Sequence, residues 1–193
     1  MTNKLADDIK EILYDEKDIA NKVQELADKI NADYKDGLVA IGILKGSIPF
    51  MADLIRKIDV PLVMDFMDVT SYEGTTSSGE VRILKDLSTR IEGKDVLIIE
   101  DIIDTGITLS YLTEVLKSRG VKSLKLCTLL TKPSRRSEKI KVDYVGYEIE
   151  DNFVVGYGMD YNENYRNLPY IGILDEKVYK WYIKYVIIWW GEW

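Results

Sequence analysis

The chain has 193 residues, with 33 acidic against 26 basic side chains, and its formal charge of -7 opposes casual binding to nucleic acid or to an anionic membrane. It holds no histidine and one cysteine, which excludes an intrachain disulfide, a Cys/His zinc site and any catalytic triad whose base is histidine. The N-terminal run MTNKLADDIKEIL has no apolar signal core and no apolar run is long enough to span a bilayer, so one main cytoplasmic domain is expected.

In chain order, residues 16–30 place Ile19, Val23, Leu26, Ala27 and Ile30 on one helical face, with Asp15 as the cap and Asp18 three residues later. LVAIGIL at 38–44 is almost wholly apolar and rich in branched side chains, as in a strand covered on both faces. The KGS turn at 45–47 then leads into a helix that carries Pro49 near its start. The small and polar stretch 70–80, TSYEGTTSSGE, reads equally as a hairpin tip or as a lid that closes over a substrate. KDVLIIED at 94–101 repeats the buried-strand pattern, TLSYLTEVLKSRG at 108–120 reads as a helix ended by Gly120, and strands follow at 124–131 and 142–149. Cys127 lies inside the third of these apolar runs and reads as a buried, inert thiol. Strands alternating with helices predict an α/β fold with a mostly parallel sheet flanked by helices, and ligands in such sheets bind beyond the carboxyl ends of the strands.

The chemistry concentrates in VLIIEDIIDTGITL, residues 96–109. A buried strand ends in Glu100 and Asp101, and Asp104, Thr105, Gly106 and Thr108 follow at a helix start. Acids crowded beside a buried strand repel one another unless cations or hydroxyls compensate them, which a divalent ion and a polyhydroxylated sugar would do. The turn from Asp104 to Thr108 can converge backbone amides on a phosphate monoester, although an ordinary capped helix starts in the same way. The run Gly42-x-x-Lys45-Gly46-Ser47 is not a Walker loop, because its lysine precedes the glycine.

Residues 96–109 resemble the phosphoribosyl-diphosphate signature of the type I phosphoribosyltransferases. LKGS at 44–47, SYEG at 71–74, the region of Lys132 and DNFVVGYGMDYNENYRNLPYIG at 151–172 extend the likeness to the hypoxanthine-guanine phosphoribosyltransferases, in register over residues 10–179. The resemblance implies a single transferase domain over 1–179 with the lid at 70–80. Its substrates would be a 6-oxopurine base and 5-phosphoribosyl 1-diphosphate, its metal magnesium or manganese, and its assembly a homodimer or homotetramer. Glu100 and Asp101 would meet the ribose hydroxyls and the metal-bound sugar, Asp104 would face N7 of the purine as the catalytic proton acceptor, and Thr105, Gly106, the Ile107 amide and Thr108 would hold the 5'-phosphate. Lys45 and Gly46 would contact pyrophosphate beneath a lid carrying Ser71 and Tyr72; the family favours a cis bond before Lys45, and the sequence leaves its form here open. Lys132 would donate to the oxygen at C6, Phe153 would stack on the base, and the backbone at Val154 would read its edge. Asp160 would join Glu100 and Asp101 around the metal and pyrophosphate, and Arg166 would chelate phosphate oxygens.

Two rival readings share this fold. A nucleotide-sensing regulator would have lost the base-side and pyrophosphate groups, and a transferase for xanthine, adenine or a pyrimidine would differ only around residue 132 and from 153 onward. Lys45, Lys132, Asp160 and Arg166 together argue for catalysis. The aromatic stretch 180–193 reads as an oligomer contact, a terminal strand or an appended segment.

Overall fold

The computed structural model describes residues 4–72 and 80–180. In chain order the elements are β1 (Ile9–Tyr14), α1 (Glu16–Asp33), β2 (Leu38–Leu44), α2 (Ile48–Ile55), β3 (Leu62–Tyr72), β4 (Glu80–Lys85), β5 (Asp95–Ile103), α3 (Ile107–Ser118), β6 (Ser123–Thr131), β7 (Tyr144–Glu148), β8 (Val154–Val155) and β9 (Ile171–Leu174). Asp15 and Asp18 form a reciprocal capping box at the start of α1, each accepting from the other's backbone N–H. Pro49 sits in the first turn of α2, where its missing N–H removes no helical bond.

Six strands form the main sheet in the order β4-β3-β2-β5-β6-β7. All neighbours pair in parallel except β3 and β4, which form an antiparallel hairpin. The parallel core follows from its composition. Successive side chains of β5 enter opposite faces, Leu97 and Ile99 packing with Phe50, Leu26 and Ile30 of the α1/α2 layer, and Val96 and Ile98 with Leu112 and Leu116 of α3. Each such fully buried aliphatic side chain contributes roughly 1.5–3 kcal/mol. Cys127 is fully buried in the first of these layers, and burial pushes its thiol far above the ordinary range, as the inert reading expects. Gly42 has no side chain because a methyl there would come within 2.5 Å of Met51 Sδ.

From β2 the chain crosses through α2 to β3 on one side, and from β5 through α3 to β6 on the other, so strand order reverses between β2 and β5. The carboxyl ends of those two strands therefore open a crevice. Lys45 and Gly46 leave one lip of it, and residues 100–104 leave the other. Above it stands a small antiparallel sheet, β1-β9-β8, which joins the N-terminal strand to segments more than 140 residues away. The sequence patterns did not reveal this sheet, because its strands are short and their pairing is long-range.

Residues 70–72 and 80 extend β3 and β4, pairing Ser71 with Val81 and Tyr72 with Glu80. The rest of the expected lid, 73–79, and the aromatic stretch from 181 onward lie outside the described residues. Among the described residues no helix is long and apolar enough to cross a membrane.

Candidate active site

The turn after β5 is shaped by Gly106. Its φ of 84° is left-handed, a conformation open to glycine, and it occupies the position immediately before α3. No side chain caps this helix, so Asp104 is not a capping residue and the first-turn amides remain available to an anion. A cavity of about 150 Å³ lies there, lined by Glu100, Ile103, Asp104, Thr105, Gly106 and Thr108. That is the size of a phosphate group with part of a sugar. Ile107 opens the helix with an exposed side chain, leaving only its backbone to serve the turn.

A second cavity of about 450 Å³ adjoins it, with Asp104 on both walls. Asp101, Lys132, Arg135, Asp151, Phe153 and Asp160 are among the residues lining it. Lys132 directly follows the last residue of β6 and is only 7% exposed. Among the described residues its ammonium has one acceptor, Asp151 Oδ1, at a long 3.4 Å. An ammonium carries three donors, so most of its hydrogen-bonding capacity is unspent and available to the cavity. Phe153 is 39% exposed, with Tyr179 stacked at 5.3 Å and Tyr161 edge-on at 5.6 Å. A phenylalanine held in the open by two other rings is a platform rather than a core residue. Val154 is buried in β8, paired with Ile173.

Glu100 and Asp101 are adjacent on a strand and therefore point to opposite sides. The two carboxylates do not share one pocket: Glu100 lines the small cavity and Asp101 the large one, with Asp160. Desolvation, and then the charge of Asp101, raise the Glu100 carboxyl well above its ordinary value, and among the described residues its buried Oε2 has no hydrogen-bond partner. Burial also pushes Asp101 up to about 6, even though backbone N–H groups and Arg166 act to lower it. A buried carboxylate as short of partners as Glu100 is incomplete without hydroxyls or a cation.

On the opposite lip the peptide bond between Leu44 and Lys45 is cis, which the sequence had left open. Asp101 presses on the next residue, since a methyl on Gly46 would lie 2.0 Å from Asp101 Oδ2. Lys45 Nζ pairs with Glu163 Oε2 at 2.9 Å. Arg166 reaches Asp160 Oδ1 at 2.8 Å, Glu163 Oε1 at 3.3 Å and the Gly158 carbonyl at 2.8 Å, and among the described residues its buried Nε has no partner. Lys45, Asp160 and Arg166 are thus one charged cluster, bridged by Glu163. Ser71 and Tyr72 lie on the backbone of the β3–β4 hairpin.

Sequence reasoning missed Arg135, Asp151, Glu163 and Tyr179. Three of them had a signal available: Arg135 stands three residues after Lys132 in KPSRR, and Asp151 and Glu163 fall inside the quoted stretch 151–172.

A phosphate-sized cradle and a base-sized cavity, meeting at one carboxylate on the switch point of a parallel sheet, define an α/β transferase that handles a phosphorylated sugar. Residues 10–162 match the family model of the phosphoribosyl transferase domain. The chain is 58% identical over 175 residues to the hypoxanthine-guanine phosphoribosyltransferase of Bacillus subtilis, covering 90% of this chain and 97% of that protein. A crystal structure of a hypoxanthine phosphoribosyltransferase from Staphylococcus aureus superimposes with a TM-score of 0.90 at 56% identity, covering 93% of this chain and 98% of the other. One of a hypoxanthine-guanine phosphoribosyltransferase from Bacillus anthracis gives 0.83 at 45% identity, covering 86% and 99%. The chain belongs to the type I phosphoribosyltransferase family, in its hypoxanthine-guanine branch, and is an enzyme of that class.

Proposed function

We propose that this protein transfers the 5-phosphoribosyl group of 5-phosphoribosyl 1-diphosphate to N9 of hypoxanthine or guanine, forming IMP or GMP and releasing pyrophosphate. The observation that carries the choice of base is Lys132, a buried ammonium with unspent donors facing the large cavity. A 6-oxo group accepts from it. The amino group of adenine offers no acceptor there and would leave the ammonium unsatisfied, which is how a site rejects the wrong base.

The roles of the other groups follow from position. Amides and hydroxyls of residues 105–108 hold the 5'-phosphate, and Glu100 accepts from the ribose hydroxyls, which supplies its buried oxygen with donors. Phe153 carries one face of the purine. As N9 bonds to the anomeric carbon the N7 proton becomes acidic, and Asp104, on the wall shared by the two cavities, accepts it. Lys45 and Arg166 hold the departing pyrophosphate.

Among the described residues no group of three or more His, Cys, Asp or Glu stands ready to enclose a metal. That suits magnesium, which is commonly held by one or two carboxylates together with substrate phosphates and water. Asp101 and Asp160 share the large cavity and fit such a role, with the Glu100 oxygen on the sugar side; the ion would neutralise the leaving pyrophosphate. Pyrophosphate release from 5-phosphoribosyl 1-diphosphate, measured with hypoxanthine, guanine, xanthine and adenine in turn, tests the whole reading. Turnover with the first two and little with adenine is expected; adenine as the preferred acceptor would overturn it.

A further inference from the structure

Arg135 belongs to no part of the mechanism described so far, yet it lies against the residue on which the proton transfer depends. Its Nε donates to Asp104 Oδ1 at 3.0 Å, and its Nη1 lies 3.6 Å from Asp151 Oδ2. Asp151 in turn receives Lys132 through its other oxygen. The four side chains form an alternating series, Lys132, Asp151, Arg135 and Asp104, running around the large cavity from the group that reads C6 to the group that meets N7.

The backbone makes the same connection. After Lys132 the chain turns through a short 3-10 segment, Pro133–Arg135, closed by the Arg135 N–H donating to the Lys132 carbonyl at 3.1 Å. The N–H groups of Ser137 and Glu138 then donate to the Thr105 carbonyl at 3.1 and 3.3 Å, and Ser137 Oγ donates to the same oxygen at 3.3 Å. Three donors on one carbonyl orient the peptide that leads into Gly106. Residues 132–138 therefore strap the base-reading strand end to the turn that carries the proton acceptor and the phosphate cradle.

We infer that Arg135 is a positioning residue for purine phosphoribosylation: by occupying Oδ1 of Asp104 it fixes the carboxylate with Oδ2 turned to the purine. Among the described residues no donor reaches Oδ2. Stability does not account for the contact, because the side chains of Arg135 and Asp104 are 47% and 41% exposed, and ion pairs so exposed add little. What the guanidinium provides is direction. Its planar fork defines where an oxygen sits more narrowly than a lysine ammonium does. A carboxylate on a turn, free to rotate, would meet N7 in only a fraction of its orientations, and misplacement at a reacting atom is costly in rate.

The inference rests on the reading of Asp104 as proton acceptor, and a double-mutant cycle separates the two. Asp104→Asn alone should lower kcat by about a hundredfold to ten-thousandfold. Arg135→Ala should lower kcat/KM for hypoxanthine by about tenfold, the scale of one charge-assisted hydrogen bond, while KM for 5-phosphoribosyl 1-diphosphate changes by less than about twofold. Arg135→Lys, which keeps the charge but not the fork, should recover only part of the loss. In the Asp104→Asn background Arg135→Ala should cost nothing further, because the group it positions is gone. An additive loss in the double mutant, an unchanged Arg135→Ala enzyme, or a rise of about tenfold in KM for 5-phosphoribosyl 1-diphosphate would overturn the positioning role. Near-normal kcat in Asp104→Asn would remove the Asp104 reading itself, and this role with it. Thermal melts of all four proteins complete the test: a positioning role leaves the Arg135→Ala melt close to wild type, and a large drop would assign the arginine to structure instead.

Discussion

Lys132→Met keeps the aliphatic stem that fills the end of β6 and deletes only the ammonium. The stem is buried, so replacement by a side chain of similar volume avoids the cavity that alanine would leave. Asp151, its one partner among the described residues, is half-exposed and also lies close to Arg135, so it is not stranded by the change. The lost ion pair is therefore worth no more than about 1 kcal/mol, and release from burying a charge offsets part of it. The melting temperature should move by only a few degrees. The effect on the reaction is larger, because a charge-assisted hydrogen bond to O6 is worth about 1.5–3 kcal/mol, roughly a tenfold to more than a hundredfold fall in kcat/KM for hypoxanthine. The assay is initial-rate kinetics with each substrate varied at saturation of the other, with adenine alongside. Discrimination against adenine should narrow, since the unsatisfied donor that penalised it has gone. If both substrates lose efficiency equally, or the protein melts far below wild type, Lys132 is structural and the account of base choice is wrong.

Three further outcomes follow from the same geometry. Gly46→Ala places a methyl 2.0 Å from Asp101 Oδ2 and 2.6 Å from its Cγ, so one of the two lips must shift; kcat/KM for 5-phosphoribosyl 1-diphosphate should fall about a hundredfold, and an unchanged value would show that the contact is not part of the site. Turnover should stop in excess EDTA and return with magnesium or manganese, and a full rate without metal would contradict the role given to Asp101 and Asp160. Burial pushes the Asp65 carboxyl up, but N–H donors from Phe66, Thr89 and Ser88 outweigh it and hold it at about 2, against 3.8 when unperturbed. A depressed folded value means stability that is present above pH 3.8 and lost as pH falls toward 2. Asp65→Asn should therefore cost about 2 kcal/mol near neutrality, with the gap to wild type closing below pH 4 in urea titrations; a gap constant with pH would refute the linkage.

Much of this site was legible in the order of residues. The acid pair, the glycine turn and the helix start lie within fourteen consecutive positions, and a strand followed by a helix leaves the turn between them little freedom. The burial of Cys127 also agrees with expectation. Phe153 shows where local reasoning ends. A phenylalanine belongs by composition in the core, and only its neighbours Tyr161 and Tyr179, the latter 26 positions later, hold it open to the cavity.

Strand periodicity and turn chemistry depend on neighbours within a few residues, so the sequence alone determined the alternating strands and helices and the identity of the acids at the end of β5. Long-range contact decided the rest. Glu100 and Asp101 look like one paired site in the sequence, yet the pleat sends them into different cavities. Arg135 reads as one charge in a solvated run until β6 is laid beside β5, which brings it within 3.0 Å of a carboxylate 31 positions earlier. Which charges meet across such a crevice depends on strand order and register, and these are set by packing of the whole sheet rather than by any segment of the chain.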